Sequence, residues 1–458
     1  MPAEETEESG RKWWVLVTIG VGTFMSALDG SVVNTILPIL SRELHANVAA
    51  IEWVTTVYLL VVSGLLLSIG RAGDLYGHKH LYISGFVLFV IGSALCGLAR
   101  SAHALIALRA LQALGAAVLF ATAPAILTRS FPPNQRGRAF GALGTFTYLG
   151  LTAGPSLGGW LASAFGWPAV FYINVPVGAT AIALATRTVA DDRVTEREER
   201  FDFVGAALFT VGLVSLMVAL NQGHAWGWGS PRTIGVLIAS AVLLAIFVRV
   251  EQRRPHPMLD LSLFTSRVFS GTTASAILNY VSVYSVLFVV PFLLIQGRGL
   301  SAAQAGVVLT AQPIVMAIVA PFSGAFSDRI GAQVPATVGM LVLTAGLLAL
   351  AFAVTGASLG IIALCLAIIG LGVGIFVSPN NSALMGAAPR HRQGIASGVL
   401  ATARNVGMVL GVGVAGAVFT TVLARAASPA AGIVPGARAA LFVAALVALL
   451  GAVTSALR

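Results

Sequence analysis

Residues Trp13–Pro38 read WWVLVTIGVGTFMSALDGSVVNTILP, a run long and apolar enough to cross a bilayer that carries one carboxylate, Asp29, in its outer half. An ionisable group inside hydrocarbon costs at least ~2.5 to 3.5 kcal/mol on insertion scales, so it faces a water-filled cavity or a partner and marks an ion, proton or substrate path. The other helices are then the walls of that cavity.

The rest of the chain has the same character. Of 458 residues, 57% are hydrophobic and 10% charged, against roughly 25% charged residues in a soluble domain, and the mean hydropathy is +0.91. The 50 glycines suit transmembrane helices that approach closely. Cys96 and Cys365 both lie in apolar runs, so no disulfide framework is expected. The net charge of +10 does not point to nucleic acid, because the basic residues are scattered between apolar spans rather than clustered on a soluble face. The acidic N-terminus and the length of the first apolar run argue against a cleavable signal peptide.

A rule of ~20 apolar residues per span divides the chain into fourteen, beginning near Trp13, Ile51, Leu81, Ala102, Gly137, Pro168, Phe203, Thr233, Val268, Ala303, Val334, Leu359, Gly394 and Gly436. With the N-terminus inside, 19 of the 27 Lys and Arg residues fall on cytoplasmic stretches, six outside and two (Arg109, Arg404) within spans. This bias predicts cytoplasmic N- and C-termini. Two charged stretches, Asp191–Asp202 and Val250–Asp260, bracket a pair of spans that looks inserted. The predicted organisation is a six-span half over 1–190, linkers and two inserted spans over 191–267, and a second six-span half over 268–458.

The halves repeat. Gly70, Asp74 and Gly77 recur at an offset of 254 as Gly324, Asp328 and Gly331, and Gly137, Gly141, Gly150, Gly154 and Gly159 recur at an offset of 257 as Gly394, Gly398, Gly407, Gly411 and Gly416. Duplicated halves with a site between them near the midplane are transporter architecture.

Helix 4 places Arg109 and Gln112 three residues apart on one face. Arg109 and Asp29 each lie seven residues from the outer end of their spans, roughly 10 Å deep at 1.5 Å per residue, so they can meet or be bridged by water. Glu52, at the outer mouth of helix 2, is a second candidate proton site. Candidates for the substrate cavity are Asn34, Trp53, Tyr58 and Gln112 in the first half, and Asn279, Tyr280, Gln312, Asn380, Asn381 and Arg404 in the second. No metal-ligand cluster, phosphate loop or nucleophile with a base is evident, so neither a cofactor nor ATP is called for.

The stretches LDGSVVNTILP (Leu28–Pro38), EWVTTVYLL (Glu52–Leu60), GRAGDLYGHK (Gly70–Lys79), RALQALGAA (Arg109–Ala117), GLTAGPSLGG (Gly150–Gly159) and FYINVPVG (Phe171–Gly178) together resemble the major facilitator superfamily, specifically its fourteen-helix drug:proton antiporters. The resemblance covers nearly the whole chain. It implies an all-α polytopic membrane protein of two six-helix halves with two extra helices between them. It also implies that Gly150, Gly154, Pro155, Gly158 and Gly159 form the antiporter motif, a smooth face making a tight, movable contact between helix 5 and the second half. Gly70, Asp74, Gly77 and Lys79 become a cytoplasmic latch in which Asp74 faces the helix that begins at Gly394, where the helix dipole favours a carboxylate. Asp328 and Arg329 are its fainter copy. Where the family usually has arginines, this chain has Leu75 and His78, which weakens the charge relay.

These readings converge on a monomeric exporter in a bacterial cytoplasmic membrane that exchanges amphipathic organic molecules for protons, with Asp29 and Arg109 in the coupling site. The alternative is a proton-coupled metabolite transporter of the same fold. An enzyme would need a catalytic constellation that the few intramembrane charges do not supply.

Overall fold

The computed structural model describes residues 2–46, 48–191, 201–227, 229–254, 257–300, 302–426 and 428–458. Residues 192–200 of the first charged linker, and the side chains of Glu52 and Pro155, lie outside the described part. The regular elements are helices: α1 (Pro2–Glu43), α2 (Val48–Tyr76), α3 (His78–Cys96), α4 (Ala102–Ser130), α5 (Arg136–Phe165), α6 (Ala169–Tyr172), α7 (Asn174–Thr188) and α8 (Phe203–Trp226). There follow α9 (Pro231–Glu251), α10 (Arg267–Phe292), α11 (Ala302–Leu309), α12 (Ala311–Ile330), α13 (Gln333–Ala353), α14 (Leu359–Ala387), α15 (Gln393–Arg425) and α16 (Pro429–Ala456).

Among the described residues, 13 helical segments are long and apolar enough to cross a membrane, with α6 running on into α7 and α11 into α12. The chain is a multi-pass integral membrane protein. Of the fourteen predicted spans, the one not among these is α5, 30 residues long but threaded with glycine and threonine.

Helix ends follow local chemistry. The hydroxyl of Ser101 accepts the Ala104 N–H and that of Ser266 the Phe269 N–H, while the Asp202 carboxylate accepts from Val204 and Gly205; each satisfies donors that a helix start leaves open. Gly77 (φ 92°) and Gly331 (φ 88°) turn the chain from α2 to α3 and from α12 to α13 in a region that side chains avoid. They occupy equivalent places in the repeated motif.

Packing is close because small residues face one another. A methyl added to Gly339 on α13 would lie 2.7 Å from the Gly372 carbonyl on α14, and one added to Gly372 would lie 2.7 Å from the Gly339 carbonyl. One apolar cluster contains Tyr82, Phe86, Phe89 and Phe131; a second contains Leu343, Leu347, Leu366, Ile369 and Leu441. Helices α2 and α4 pack on α15, and α5 packs on α12 and α14. Helix α8 lies against α2, where Thr210 donates to the Gly64 carbonyl at 2.9 Å. Helix α9 rests on α8, and only 17% of its most apolar stretch is buried, which leaves its flanks to lipid. Cys96 and Cys365 are free and buried.

Candidate functional site

Asp29 is 2% exposed, and its carboxylate is held on both oxygens. Oδ2 accepts from Arg109 Nη1 at 2.6 Å; Oδ1 accepts from Gln112 Nε2 and from Asn174 Nδ2, both at 3.0 Å. The two amides are used alike, since each also donates to Ser93 Oγ, at 3.2 and 3.0 Å, and Ser93 donates in turn to the Phe171 carbonyl at 2.9 Å. An ionised carboxylate is acceptor-only, so every donor around Asp29 matches the anion. Arg109 is fully buried, donates to Gln112 Oε1 at 2.6 Å, and lies over the Tyr58 ring with 4.3 Å to its centroid. Its Nη2 has no hydrogen-bond partner. The network joins α1, α3, α4 and α7, with Tyr58 of α2 and Phe171 of α6 at its edges.

Asp29 and Arg109, which lie at the same depth when counted along their helices, therefore meet in one contact. Asn174 and Ser93 escaped the sequence reading as site residues. Asn174 was visible as the polar residue of FYINVPVG; Ser93, a small hydroxyl in an apolar helix, carries no comparable signal.

At the end of the bundle that holds the α2–α3 and α12–α13 turns, two carboxylates cap two helices. Asp74 accepts the N–H groups of Gly394 and Ile395 at 2.8 and 3.0 Å, at the start of α15. Asp328 accepts those of Gly137 and Arg138 at 2.7 and 2.9 Å, at the start of α5. The helix dipole and the open donors of a first turn favour an anion there. Asp328 is thus a full counterpart of Asp74 and not a fainter copy. Around Asp74 stand His78 Nε2 at 3.7 Å and Arg129 Nη2 at 3.4 Å, and Arg129 also donates to the Arg390 carbonyl at 3.4 Å.

Glycines bring the backbones together beside each carboxylate. Gly70 abuts Gly394 and Gly398, and Gly324 abuts Gly137. Ser397 Oγ donates to the Ala121 carbonyl, and Thr145 Oγ1 to the Ala317 carbonyl at 2.9 Å. This end is closed. A cleft of about 720 Å³ beside it is lined by Arg129, Arg136, Arg390 and His391, where burial and the neighbouring Arg390 push the Arg136 guanidinium below its ordinary range. The other latch candidates lie apart from it: Lys79 pairs with Asp191 at 2.9 Å, and Arg329 is exposed.

The glycine face of α5 looks in a direction other than expected. A Cβ at Gly150 would meet the Phe24 carbonyl at 2.6 Å, one at Gly154 the Ser31 Cβ at 2.5 Å, and one at Gly158 Val32 Cγ1 at 2.7 Å. All three contacts are with α1, not with helices of the second half; Gly159 has open space around it. The reason is helical phase. Gly141, which does face α12, is nine residues before Gly150, and nine steps of about 100° turn the helix through half a revolution. Equivalently, Gly407 and Gly411 of α15 face Ile277, Tyr280 and Tyr284 of α10.

The remaining candidates scatter. Asn34 is exposed and accepts from Thr55 Oγ1 at 3.0 Å, tying α1 to α2; Trp53 and Asn381 are half-buried. Asn279 and Gln312 are buried, and both amide atoms of Asn279 lack a hydrogen-bond partner. Asn380 is fully buried, donates to the Thr272 carbonyl at 3.0 Å and accepts from Arg458 Nη1 at 2.7 Å. It is thereby committed to a contact with the C-terminal arginine, whose guanidinium burial pushes down to about 10.

The family model of the Major Facilitator Superfamily matches residues 19–412. The chain is 34% identical to the riboflavin transporter RibZ of Clostridioides difficile, over 88% of this chain and 87% of that one. It is also 34% identical to the multidrug resistance protein Stp of Mycobacterium tuberculosis, over 90% of this chain and 77% of that one. Its fold superposes on the crystal structure of the human organic anion transporter MFSD10 with a TM-score of 0.70 at 17% identity, covering 97% of this chain and 99% of that one, a likeness of fold alone. An all-helical membrane bundle with a buried carboxylate, and a family match running through most of its length, place the chain in the major facilitator superfamily, a family of transporters.

Proposed function

We propose that the protein is a proton-coupled antiporter that exports amphipathic organic molecules by alternating access. The observation that carries this is the Asp29 carboxylate, buried and matched on both oxygens by three donors from two other helices, α4 and α7. A proton arriving on Oδ2 replaces the acceptor that Arg109 uses, and a proton on Oδ1 opposes two donors; either change loosens the joint between α1, α3, α4 and α7. Proton binding is thereby converted into helix movement. In this reading the chain is a monomer of fourteen spans in a bacterial inner membrane, with α5 among them and six-helix halves over 1–190 and 268–458 flanking α8 and α9. Both termini and the closed, latched end face the cytoplasm, in keeping with the basic residues concentrated in those loops.

The direction of transport draws support from the glycine motif of α5 and from the relative called a multidrug resistance protein. The relative called a riboflavin transporter favours a second reading, a proton-coupled metabolite transporter of the same fold. Reconstituted vesicles decide between them. A diverse panel of amphipathic compounds, riboflavin included, is loaded on the cytoplasmic face with and without an imposed pH gradient and with an uncoupler. Gradient-driven movement of several unrelated compounds supports the export reading; movement of riboflavin alone supports the second; movement indifferent to the gradient overturns both.

The close contact of α5 with α1 leaves no room for a side chain at Gly154. Gly154→Leu forces a branched side chain against Ser31, two residues from Asp29, and overpacking of a fitted contact costs ~1 to 3 kcal/mol. The variant inserts normally and its transport falls by about tenfold, the equivalent of ~1.4 kcal/mol, and Ser31→Gly in the same chain restores part of it. Undiminished transport in Gly154→Leu would mean that the α1–α5 contact is slack.

A further inference from the structure

Arg404 is a second cation in the interior of the bundle, and its surroundings differ from those of Arg109. Its guanidinium carbon lies 4.6 Å from the centroid of the Phe120 ring, so α15 and α4 meet across this stack. Its Nε is buried without a hydrogen-bond partner, and among the described residues no carboxylate pairs with it. The intramembrane carboxylate of Asp29 is already taken by Arg109, Gln112 and Asn174.

What does surround Arg404 is aromatic. Its charge reaches the hydroxyls of Tyr58, Tyr148, Tyr280 and Tyr284. Tyr280 and Tyr284 stand four residues apart on one face of α10, backed by Gly407 and Gly411 of α15. Tyr280, Tyr284, Phe120 and Arg404 all remain partly accessible. Tyr58 covers Arg109 on its other flank, so this aromatic box adjoins the carboxylate network.

An ion inside a membrane bundle without its counter-ion is unfavourable, and a guanidinium is not relieved by losing its proton. Such a group with a free hydrogen-bonding edge fits a charge that arrives from outside. A guanidinium plane matches a carboxylate or a phenolate in two-point geometry, and flat tyrosine and phenylalanine rings match a flat apolar body.

We infer that Arg404 is the anchor for an anionic group on the transported molecule, and that the preferred substrates are planar aromatic acids, carboxylates or acidic phenols, rather than organic cations. This rests on the transport reading above and narrows its substrate class.

The test uses three probes with the same ring system: anthracene-9-carboxylate, its methyl ester, and the 9-anthracenylmethyl trimethylammonium ion. Binding to the purified protein in nanodiscs is followed by the anisotropy of the probes. The wild type binds the anion at least tenfold more tightly than the ester or the cation. Arg404→Gln loses about 10- to 100-fold for the anion and less than about threefold for the ester, as expected for a hydrogen-bonded charge, and Arg404→Lys recovers part of the loss. Equal affinity for all three in the wild type, preference for the cation, or an equal loss for all three in Arg404→Gln would overturn the inference. Gradient-driven transport of the ester is measured alongside: its absence together with that of the anion in the wild type counts against proton-coupled export, whereas intact transport with no preference for the anion in the wild type, or with that preference retained in Arg404→Gln, counts against Arg404 alone.

Discussion

Asp29→Asn is expected to abolish gradient-driven export while exchange of substrate across the membrane without a gradient continues. The amide keeps the volume of the carboxylate and, through its oxygen, the bonds from Gln112 and Asn174. Its nitrogen then faces Arg109 Nη1, donor against donor, where the wild type has a 2.6 Å ion pair. Breaking a buried pair from one side costs ~3 to 5 kcal/mol, reduced here because Gln112 Oε1 still accepts from Arg109. Thermal stability in detergent should therefore drop visibly with the protein still inserted. Purified variant and wild type are compared for pH-driven accumulation, for counterflow and for melting temperature. Accumulation retained in Asp29→Asn would move coupling elsewhere, Glu52 being the next group to examine.

The second large effect is expected from the double variant Asp74→Asn, Asp328→Asn, which should open the latched end. Each carboxylate receives two backbone N–H groups, and hydrogen bonds to a charged acceptor contribute ~1.5 to 3 kcal/mol. One such loss shifts the ratio of open to closed forms by about 10- to 100-fold. The two latches share no donor, so their losses should nearly add, and the double variant should favour the open form far more than either single one. A cysteine at position 397, in a chain whose Cys96 and Cys365 are replaced, reports this directly: Ser397 is fully buried against α4 in the closed form. Maleimide labelling should be slow in the wild-type background, faster in each single variant and fastest in the double. Equal labelling in all four would mean that the closed end is held by glycine packing and not by the carboxylates.

How much of this was legible beforehand depends on what kind of signal each residue carries. Asp29, Arg109 and Gln112 stand out because charge and amide are rare in apolar runs, and depth counted along two helices was enough to predict their meeting. Ser93 completes the same network with a hydroxyl too common in apolar helices to be singled out, and Asn174 with an amide that is visible in FYINVPVG but whose partners show only once α7 packs on α1 and α3. The direction of the α5 glycine face was not legible, because it depends on rotation about the helix axis: Gly141 and Gly150 are near neighbours in sequence and look opposite ways. Asn380 reads as a cavity residue by composition, but its partner Arg458 lies at the far end of the chain, and such pairings leave no trace in local sequence. Tyr280 was singled out, whereas Tyr148, Tyr284 and Phe120 look like ordinary core until Arg404 is seen among them.

The glycine contacts at the closed end obey a reciprocity. Gly70 corresponds by repeat to Gly324, and Gly137 to Gly394; in space Gly70 meets Gly394 and Gly324 meets Gly137. Element one of the first repeat touches element two of the second, and the reverse holds as well. That is the contact rule of an isologous two-fold interface, in which one patch complements itself when rotated onto a copy. A surface of this kind closes on itself in a dimer of two identical chains; here both patches lie in one polypeptide, so the closure is intramolecular. Its strength is then independent of protein concentration, and dilution in a membrane does not open it.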